Sequence, residues 1–410
     1  MNEVKKTLPR CRIFLLDGKK FCTNLLVLFF EIPLKRETAT KTALLAEILK
    51  REQWQDAVKQ AEEYYGALWD VSVVKKGDRQ LLLFSLETLK AVEMEEAVSF
   101  LRERVFALLK KDGISEKSLK RQKEILRRKL ESIQDDKKAY ARKRSLEETA
   151  EGTDYAVSGE GYLEDLEEIN GKELFRWYRN LTETAAVKVF FCGDKGERKK
   201  VLSLRKEFPG NITDSLPRES EQAKKGPRFL QEQAEVVQAR LIMGFSAAVE
   251  NGHRQAALLL LNHLLGGSPD SLLFQDVREE QGLCYDVKSY LEPLSPFLFI
   301  EAGIRQEDAR KVGKQVLHCI EQMKKEGVSE KKLQQAKKNI LRNYHTLSDS
   351  SWGMVDFFAE QALQGRELTT EKMLRQIERI EAEDIMGAAR HLELKTIYLL
   401  SGKEGQYAAE

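Results

Sequence analysis

Residues 264–289 read Leu-Leu-Gly-Gly-Ser-Pro-Asp-Ser-Leu-Leu-Phe-Gln-Asp-Val-Arg-Glu-Glu-Gln-Gly-Leu-Cys-Tyr-Asp-Val-Lys-Ser. We expect one helix to end at Gly266-Gly267 and a second to begin at Ser268, because serine caps helices and proline suits their first position. Gly282 is expected to end the second helix, since glycine readily adopts the left-handed conformation. The residues after Gly282 alternate as they do in a strand. The stretch therefore predicts a short helix joined tightly to a strand.

Arg278 and Tyr285 flank this predicted joint, seven residues apart. A strict alternation gives the strand two faces. One face is expected to carry Tyr285, Val287 and Ser289, and the other Cys284, Asp286 and Lys288.

The composition favours a soluble, helix-rich protein of two or more domains. The chain has 410 residues, of which 42% are hydrophobic and 33% charged, and a single core rarely serves so long a chain. Because 68 Lys and Arg face 66 Asp and Glu, the net charge is only +2, which favours neither nucleic acid nor an anionic membrane as a partner. The basic run at 110–144 is interleaved with apolar residues and indicates a solvated helix face.

The five cysteines are odd in number, scattered and without a Cys-x-x-Cys pair. They predict neither a disulfide framework nor a zinc knuckle, and they favour a reducing compartment. The N-terminus lacks an apolar signal core, and the apolar run at 25–30 is far too short to span a bilayer. We expect a cytoplasmic protein with no membrane partner.

Local patterns predict strands followed by helices in each half of the chain. In the first half, strands at 12–16 and 22–32 are expected to form a hairpin around Asp17-Gly18. Further strands are predicted at 67–74, 80–85 and 186–192. Helices are predicted at 40–50, 53–65, 93–110, 115–149 and 171–180.

Two sequence segments recur at nearly equal spacing. Residues 111–119 match 325–333, with Gly113 and Gly327 offset by 214, and residues 66–71 match 282–287, offset by 216. We infer a duplicated α+β unit of about 200 residues, built as an antiparallel sheet with helices on one face. The expected domains are 1–207 and 228–410, joined by a linker at 208–227 that is rich in Pro, Gly, Ser and charge.

The stretch at 264–289 resembles the second-half signature of the insulinase-like (pitrilysin) zinc peptidases. There, a glycine pair, a short helix, an arginine and a Gly-Leu-x-Tyr strand recur together, as Gly266-Gly267, Arg278 and Gly282-Leu-Cys-Tyr285 do here. The resemblance implies two similar halves that form a clamshell around a chamber. It also implies that the first-half sheet offers an edge to an extended peptide.

Catalytic members of that family carry a His-x-x-Glu-His zinc motif on a first-half helix. The offset of 216 places the matching positions at Ala43, Ala46 and Glu47, so both histidines and the general base are missing. Realignment does not restore them, because residues 1–252 contain no histidine; the five are His253, His263, His318, His345 and His391. We therefore expect no metal, no cofactor and no peptidase activity from this chain alone. Glu124 and Glu131, where a distal ligand would be sought, are expected to be solvated helix charges.

The resemblance nevertheless retains a function for Arg278 and Tyr285. In two-subunit members, a zinc-lacking subunit supplies an arginine and a tyrosine across the chamber to its zinc-bearing partner, where they hold the substrate carbonyl and stabilise the oxyanion. The expected partners are thus a zinc-bearing insulinase-family subunit and a peptide substrate. The alternative is that Arg278 pairs with Glu279 or Asp286 on the surface and that Tyr285 belongs to the core.

Other motifs, among them 62–67, 76–77, 135–141 and 161–166, look like those of the zinc-less bacterial subgroup of this family, over essentially the whole chain. Some members of that subgroup are associated with 5-aminopentanol modification of elongation factor P. The leading hypothesis is a non-catalytic partner subunit, and the second is a scaffolding protein without peptide chemistry. A self-sufficient enzyme is disfavoured because the chain has no nucleophile elbow, phosphate loop or dinucleotide fingerprint.

Overall fold

The computed structural model describes residues 7–52, 66–111, 113–213, 226–247, 252–366 and 369–402. The helix predicted at 53–65 lies outside these ranges. So do most of the predicted linker and the first part of the subgroup motif at 62–67.

The strands are numbered β1 to β12 in chain order: Thr7–Pro9, Cys11–Asp17, Thr23–Pro33, Leu68–Lys76, Arg79–Leu89, Ala186–Gly193, Asn211–Thr213, Arg228–Gln233, Ala239–Ala247, Cys284–Leu291, Phe297–Ile304 and Leu392–Ser401. The α-helices are numbered α1 to α12: Arg36–Glu52, Met94–Phe106, Glu116–Asp135, Lys137–Thr149, Gly171–Thr184, Arg198–Leu202, Gly252–Leu265, Ala309–Lys325, Glu330–Leu347, Ser351–Leu363, Thr370–Glu378 and Ala382–Arg390. A π-helix, Phe274–Glu280, precedes β10.

Two five-stranded sheets confirm the duplicated α+β unit. The first sheet has the strand order β2-β6-β3-β5-β4 and the second has β8-β12-β9-β11-β10. Equivalent neighbours pair in the same directions. Among the described strands of each five-stranded sheet, the one that comes first in the chain, β2 or β8, pairs parallel with its neighbour, and the other pairs are antiparallel. Each sheet is therefore mixed rather than wholly antiparallel. A further short pair, β1 with β7, places part of the predicted linker in a strand.

The hairpin predicted around Asp17-Gly18 is wrong. β2 and β3 are not neighbours, because β6 lies between them and pairs with both. The backbone N–H of Gly18 donates to the carbonyl of Gly193 at the end of β6, and a Cβ at Gly18 would clash with that backbone. The connection at Asp17-Gly18 therefore joins two strands that are separated in the sheet by β6, and the local turn residues do not reveal this. By contrast, β4 and β5 form the hairpin whose strands were predicted.

The helix predicted over 115–149 is interrupted at Asp136. Its side chain accepts hydrogen bonds from the backbone N–H groups of Lys138 and Ala139, both at 3.0 Å, and so caps a new helix, α4. Apolar periodicity continues through the break, which is why the sequence pattern did not reveal it.

The break coincides with a change of compact unit. The first unit contains residues 1–132, 157–219 and 347–367, and the second contains 133–156, 220–346 and 368–410. Helix α4 therefore belongs with the second sheet, although the first half of the sequence encodes it. Helix α10 belongs with the first sheet, although the second half encodes it. The bounds of α4 and α10 differ by 214 residues at both ends, so the exchanged helices are equivalent elements of the two repeats.

Both exchanged helices fill an apolar face of a sheet. In the first unit, Val355 and Ala359 of α10 pack with Phe29 and Phe190 of the central strands, while Phe100 of α2 meets the opposite face through Trp69. In the second unit, Ala141 and Leu146 of α4 pack with residues of β9, β11 and β12, namely Ile242, Phe299 and Tyr398. Among the described residues, no helix is both long and apolar enough to cross a membrane.

Candidate functional site

The glycine pair at the end of α7 lets β10 approach that helix closely. The backbone N–H of Ser289 donates to the carbonyl of Gly266 at 3.1 Å, and its hydroxyl donates to the carbonyl of Asn262 at 2.9 Å. A Cβ on Gly266 would clash with the Ser289 amide and lie 2.8 Å from its Oγ. Glycine at 266 therefore fixes the position of β10 against α7.

The helix that precedes β10 begins later than predicted and is mostly a π-helix. Residues 268–271 form turns, with the Ser271 N–H donating to the Ser268 carbonyl at 3.1 Å, so Ser268 does not cap the helix. The π-helix runs over Phe274–Glu280. Gly282, two residues beyond it, has a φ of +61°, which is the left-handed conformation predicted there. Its wide turn is a feature often found at functional sites.

Asp276 ties the π-helix to α8. Its carboxylate accepts hydrogen bonds from Gln315 Nε2 at 2.6 Å and from Cys319 Sγ at 3.0 Å, both on α8, and from Gln281 Nε2 at 3.0 Å. Burial alone would raise the pKa of Asp276, but these hydrogen bonds hold the pKa below its ordinary value. The segment that carries Arg278 is thus fixed at a point two residues before it.

Arg278 lies on the surface of the second unit. Its guanidinium carbon sits 4.6 Å from the centre of the Phe274 ring, and its Nε is 3.6 Å from Oε1 of Glu279. The side chain is 41% exposed. An exposed arginine held over an aromatic ring keeps N–H donors available to a ligand.

Tyr285 is the extra residue of a β-bulge. Cys284 pairs with Ile304 and Asp286 with Gly303, so no partner on β11 stands opposite Tyr285. Tyr285 is 66% exposed, whereas Val287 and Ser289 are buried. The bulge therefore corrects the predicted faces: Cys284 joins Val287 and Ser289 on the buried side.

The remaining residues of β10 share the opposite face. Tyr285, Asp286 and Lys288 lie on the side of β10 where Tyr290 stacks on Phe299, and where α4 covers the sheet. A strict alternation placed Tyr285 with Val287, and the bulge is the physical reason that this placement is wrong.

The alternative interpretation was that Arg278 forms a surface ion pair and that Tyr285 belongs to the core, and it agrees with the structure in only one respect. Arg278 is near Glu279, as that interpretation expects, but at 3.6 Å between two exposed side chains the contribution to stability is below about 1 kcal/mol. Asp286 instead accepts from Nη1 of Arg240, at 3.0 and 2.8 Å. Tyr285 is not a core residue.

The three positions that match the zinc motif do not fit a metal. Ala43 and Ala46 are buried in the apolar side of α1, at 6% and 4% exposure, and offer no ligand atom. Glu47 forms an ion pair with Lys129 of α3. Glu124, on α3, pairs with Arg127 and Arg128 at 2.9 and 3.1 Å, as expected of a helix-surface charge.

The histidines of α7 have separate protein contacts. His253 Nε2 is 2.9 Å from Oδ1 of Asp384, and His263 Nε2 is 3.5 Å from Nδ2 of Asn339. Within the described ranges, no three His, Cys, Asp or Glu side chains are grouped so that they could hold a metal ion.

Sequence reasoning missed two features of this region. The Asp276 anchor joins residues about 40 positions apart, and the charged groups under α4 join residues about 160 apart. Contacts between residues so far apart leave no pattern in the local sequence around Asp276 and Arg278. The buried Glu301, in the otherwise apolar strand Phe297–Ile304, was the one visible irregularity, because an isolated carboxylate inside an apolar strand requires buried partners.

Comparison with known proteins agrees with this fold. The family model described as the peptidase M16 inactive domain matches residues 168–340. The chain is 26% identical over 425 residues to the "Probable inactive metalloprotease YmfF" of Bacillus subtilis, covering 99% of both chains. Among solved structures, a conserved protein from Enterococcus faecalis V583 has a TM-score of 0.84 at 23% identity, covering 97% of this chain and 98% of that one.

A second solved structure, a peptidase M16 inactive domain from Pseudomonas fluorescens, has a TM-score of 0.79 at 20% identity, covering 97% of this chain and 98% of that one. At these identities the structural similarities establish the fold alone. The sequence matches, one over residues 168–340 and one to a relative at 26% identity, show similarity to proteins described as inactive peptidases.

Proposed function

We propose that this chain, an inactive M16 peptidase-like homologue, is the non-catalytic partner subunit of a zinc-bearing peptidase of the same family. The proposal combines the resemblance of the sequence with the chemistry of one joint. The zinc-motif positions carry Ala43, Ala46 and Glu47, while Arg278 and Tyr285 are kept and exposed. The zinc and the water-activating base would come from the partner, and this chain would help to shape the chamber.

The observation that carries the proposal is the bulge at Tyr285. A regular strand would place this tyrosine on the buried face with Val287, whereas the bulge turns it to solvent. A phenol and a guanidinium donate hydrogen bonds well to negative charge that develops on a scissile carbonyl. In the proposed role, Arg278 and Tyr285 hold the substrate carbonyl in trans, and no proton or metal ligand is required from this chain.

The first sheet offers a second element of the proposal. Strand β4 ends its sheet, with β5 as its one neighbour among the described strands. An extended peptide adds to such an edge by backbone hydrogen bonds. We propose that substrate peptides use this edge.

The proposed location is the cytoplasm, for which the five unbridged cysteines are the support. A link to the modification of elongation factor P is proposed on the subgroup resemblance alone.

The test is reconstitution with a zinc-bearing family member from the same cell. Zinc content and hydrolysis of a fluorogenic peptide are measured for each chain and for the mixture. We expect neither zinc nor hydrolysis from this chain alone, and hydrolysis that appears or rises on mixing. One equivalent of zinc with hydrolysis by this chain alone would overturn the proposal.

Substitutions then separate the Arg-Tyr role from assembly. Arg278→Ala and Tyr285→Phe are expected to lower kcat of the complex by about 10²-fold or more, as loss of an oxyanion donor does. Arg390→Ala, at another exposed arginine of the second unit, is the matched control. Complex formation is followed by size-exclusion chromatography with light scattering.

The second candidate is a scaffolding protein. It is favoured by the ordinary surface contacts of Arg278, with Phe274 and Glu279. If Arg278→Ala and Tyr285→Phe leave hydrolysis unchanged while the complex still forms, the in-trans role is excluded and scaffolding is supported.

A further inference from the structure

Six charged side chains meet on the face of the second sheet that α4 covers. They come from α4, β9, β10 and β11: Lys138, Arg142, Arg240, Asp286, Lys288 and Glu301. Four are cations and two are carboxylates, so the group, here called the β10 basic cluster, has a surplus of two positive charges.

The two arginines bind the two carboxylates, although Oε1 of Glu301 accepts no hydrogen bond from the described residues. Glu301 is wholly buried and accepts from Nε of Arg142 at 2.6 Å. Asp286 accepts from Arg240 at 3.0 and 2.8 Å, and Arg240 also lies 3.6 Å from Glu301. A buried carboxylate requires partners of this kind.

The two lysines are the surplus. Lys288 Nζ is 3.8 Å from Glu301, and Lys138 Nζ is 3.8 Å from Asp286 and 4.0 Å from Glu301. These separations exceed hydrogen-bond length. The lysine side chains are 41% and 42% exposed, so both side chains reach solvent.

Other cations lie close to Lys288 and affect its charge. Burial, together with the charges of Arg142 and Lys138, lowers the pKa of Lys288 in spite of Glu301. The ring of Tyr290 lies 5.5 Å from the Arg142 guanidinium and 5.8 Å from Lys288 Nζ, which keeps both on one side of β10. An anion placed between the lysines would relieve their repulsion.

We propose that Lys138 and Lys288 form a subsite for a carboxylate of a peptide bound beside Tyr285. That the ligand is a peptide rests on the proposed function; that it is anionic rests on the cluster. The bulge places Tyr285 on the same face of β10 as Lys288, three residues away. Because the bulge fits the four steps from Cys284 to Lys288 against three steps of β11, Tyr285 and Lys288 are separated by two to three strand steps. This is roughly 7–10 Å, the span of two or three residues of an extended peptide. The subsite therefore selects an acidic residue, or a C-terminal carboxylate, about two or three positions from the bond to be cleaved.

The test measures binding to the chain alone, without a peptidase partner. Fluorescence anisotropy is used with a labelled octapeptide that carries one glutamate and an amidated C-terminus. Its matched peptides replace the glutamate by glutamine, with the C-terminus either amidated or free. We expect both carboxylate peptides to bind at least about fivefold more tightly than the neutral peptide, with a difference that shrinks as salt rises.

The double substitution Lys138→Ala with Lys288→Ala is expected to remove this preference while leaving the affinity for the neutral peptide unchanged. Lys137→Ala with Lys314→Ala removes the same charge from two other positions of the second unit and is expected to keep the preference. Thermal unfolding confirms that each variant is folded, and Lys→Gln variants replace any that is not. Equal binding of all three peptides, or a preference that survives the Lys138/Lys288 substitution, would overturn the subsite.

Two further outcomes locate the ligand. Inorganic phosphate or acetate that competes at millimolar concentration only for the wild type supports the subsite, whereas equal competition in the double variant contradicts it. The binding test does not measure hydrolysis, so it is independent of the proposed function. If the chain selects acidic peptides but does not activate a zinc-bearing partner, the subsite is supported and the proposed function is contradicted. If hydrolysis by the complex depends on Arg278 but acidic peptides are not preferred, the proposed function is supported and the subsite is contradicted.

Discussion

Arg142 and Asp356 occupy equivalent positions of the two repeats, 214 residues apart, and each forms an ion pair with a strand encoded by the other half of the sequence. Arg142 of α4 donates to Glu301 of β11 at 2.6 Å, and Asp356 of α10 lies 2.8 Å from Lys76 of β4. The position is the same, but the sign of the charge is reversed. Each exchanged helix is therefore fixed to its sheet by an ion pair whose strand residue comes from the other repeat.

Loss of Arg142 should cost more stability than loss of Asp356. Arg142→Met leaves Glu301 wholly buried with cations no closer than 3.6 Å, and we expect a loss of about 1–3 kcal/mol. Asp356→Asn should cost less than about 0.5 kcal/mol, because Asp356 is 62% exposed and Lys76 retains Glu360 at 2.8 Å. Urea denaturation measures both. Equal losses would show that the Arg142 pair does not hold α4.

The close approach of β10 to α7 predicts a specific intolerance at Gly266. A Cβ there meets the Ser289 amide, so Gly266→Ala should lower the free energy of unfolding by about 1–3 kcal/mol. The control is Gly387→Ala within α12, where a Cβ meets nothing within 4 Å and alanine should add about 0.5–1 kcal/mol. Thermal and urea unfolding measure the stability of the two variants. If Gly266→Ala also stabilises the protein, β10 does not approach α7 as closely as described.

Acid should weaken the first unit through Glu31. Its carboxylate joins three strands, accepting from Nε of Arg79 on β5 at 2.8 Å and pairing with Lys188 on β6. Burial would raise the pKa of Glu31, but the charges of Lys188 and Arg79 outweigh it and lower the pKa below its ordinary value of 4.5. The stabilisation is thus complete above pH 4.5 and is lost as the pH falls below that value through the folded pKa.

Glu31→Gln should remove roughly 3 kcal/mol at neutral pH, because Lys188 remains buried without its carboxylate and Arg79 keeps, among the described residues, only Asp78, at 3.4 Å. Its stability should also fall less steeply than that of the wild type between about pH 5 and about pH 3. Urea denaturation across this range gives both quantities, with the exposed Glu96→Gln as the control. Parallel pH profiles for wild type and Glu31→Gln would contradict the assignment.

The Asp276 anchor predicts that the Arg278 segment loosens when its hydrogen bonds are removed. Asp276→Ala loses the contacts with Gln315, Cys319 and Gln281. Amide hydrogen exchange over residues 274–283 should therefore accelerate by about tenfold or more, for a loss of about 1–2 kcal/mol. Cys319→Ser keeps a donor and should leave exchange near the wild-type rate. Unchanged exchange in Asp276→Ala would mean that α8 does not hold the π-helix.

How much the sequence predicted depends on how far apart the interacting residues are. The glycine pair, the left-handed Gly282 and the strand after it follow from local backbone preferences, and the structure has them in place. The start of the helix was missed because turn hydrogen bonds at Ser268 compete with capping. The bulge was missed because an extra residue in a strand leaves the local preference for extended backbone unchanged.

The sequence by itself determined the duplication, since the two copies retain matching segments, and the absence of histidine from residues 1–252. Tertiary structure alone decided that β6 separates β2 from β3, that α4 and α10 exchange sheets, and that Tyr285 faces solvent. The physical reason is the range of the forces involved. Periodicity and turn chemistry act over a few residues, whereas strand partners and the sheet that a helix covers are selected by burial of apolar surface between distant segments.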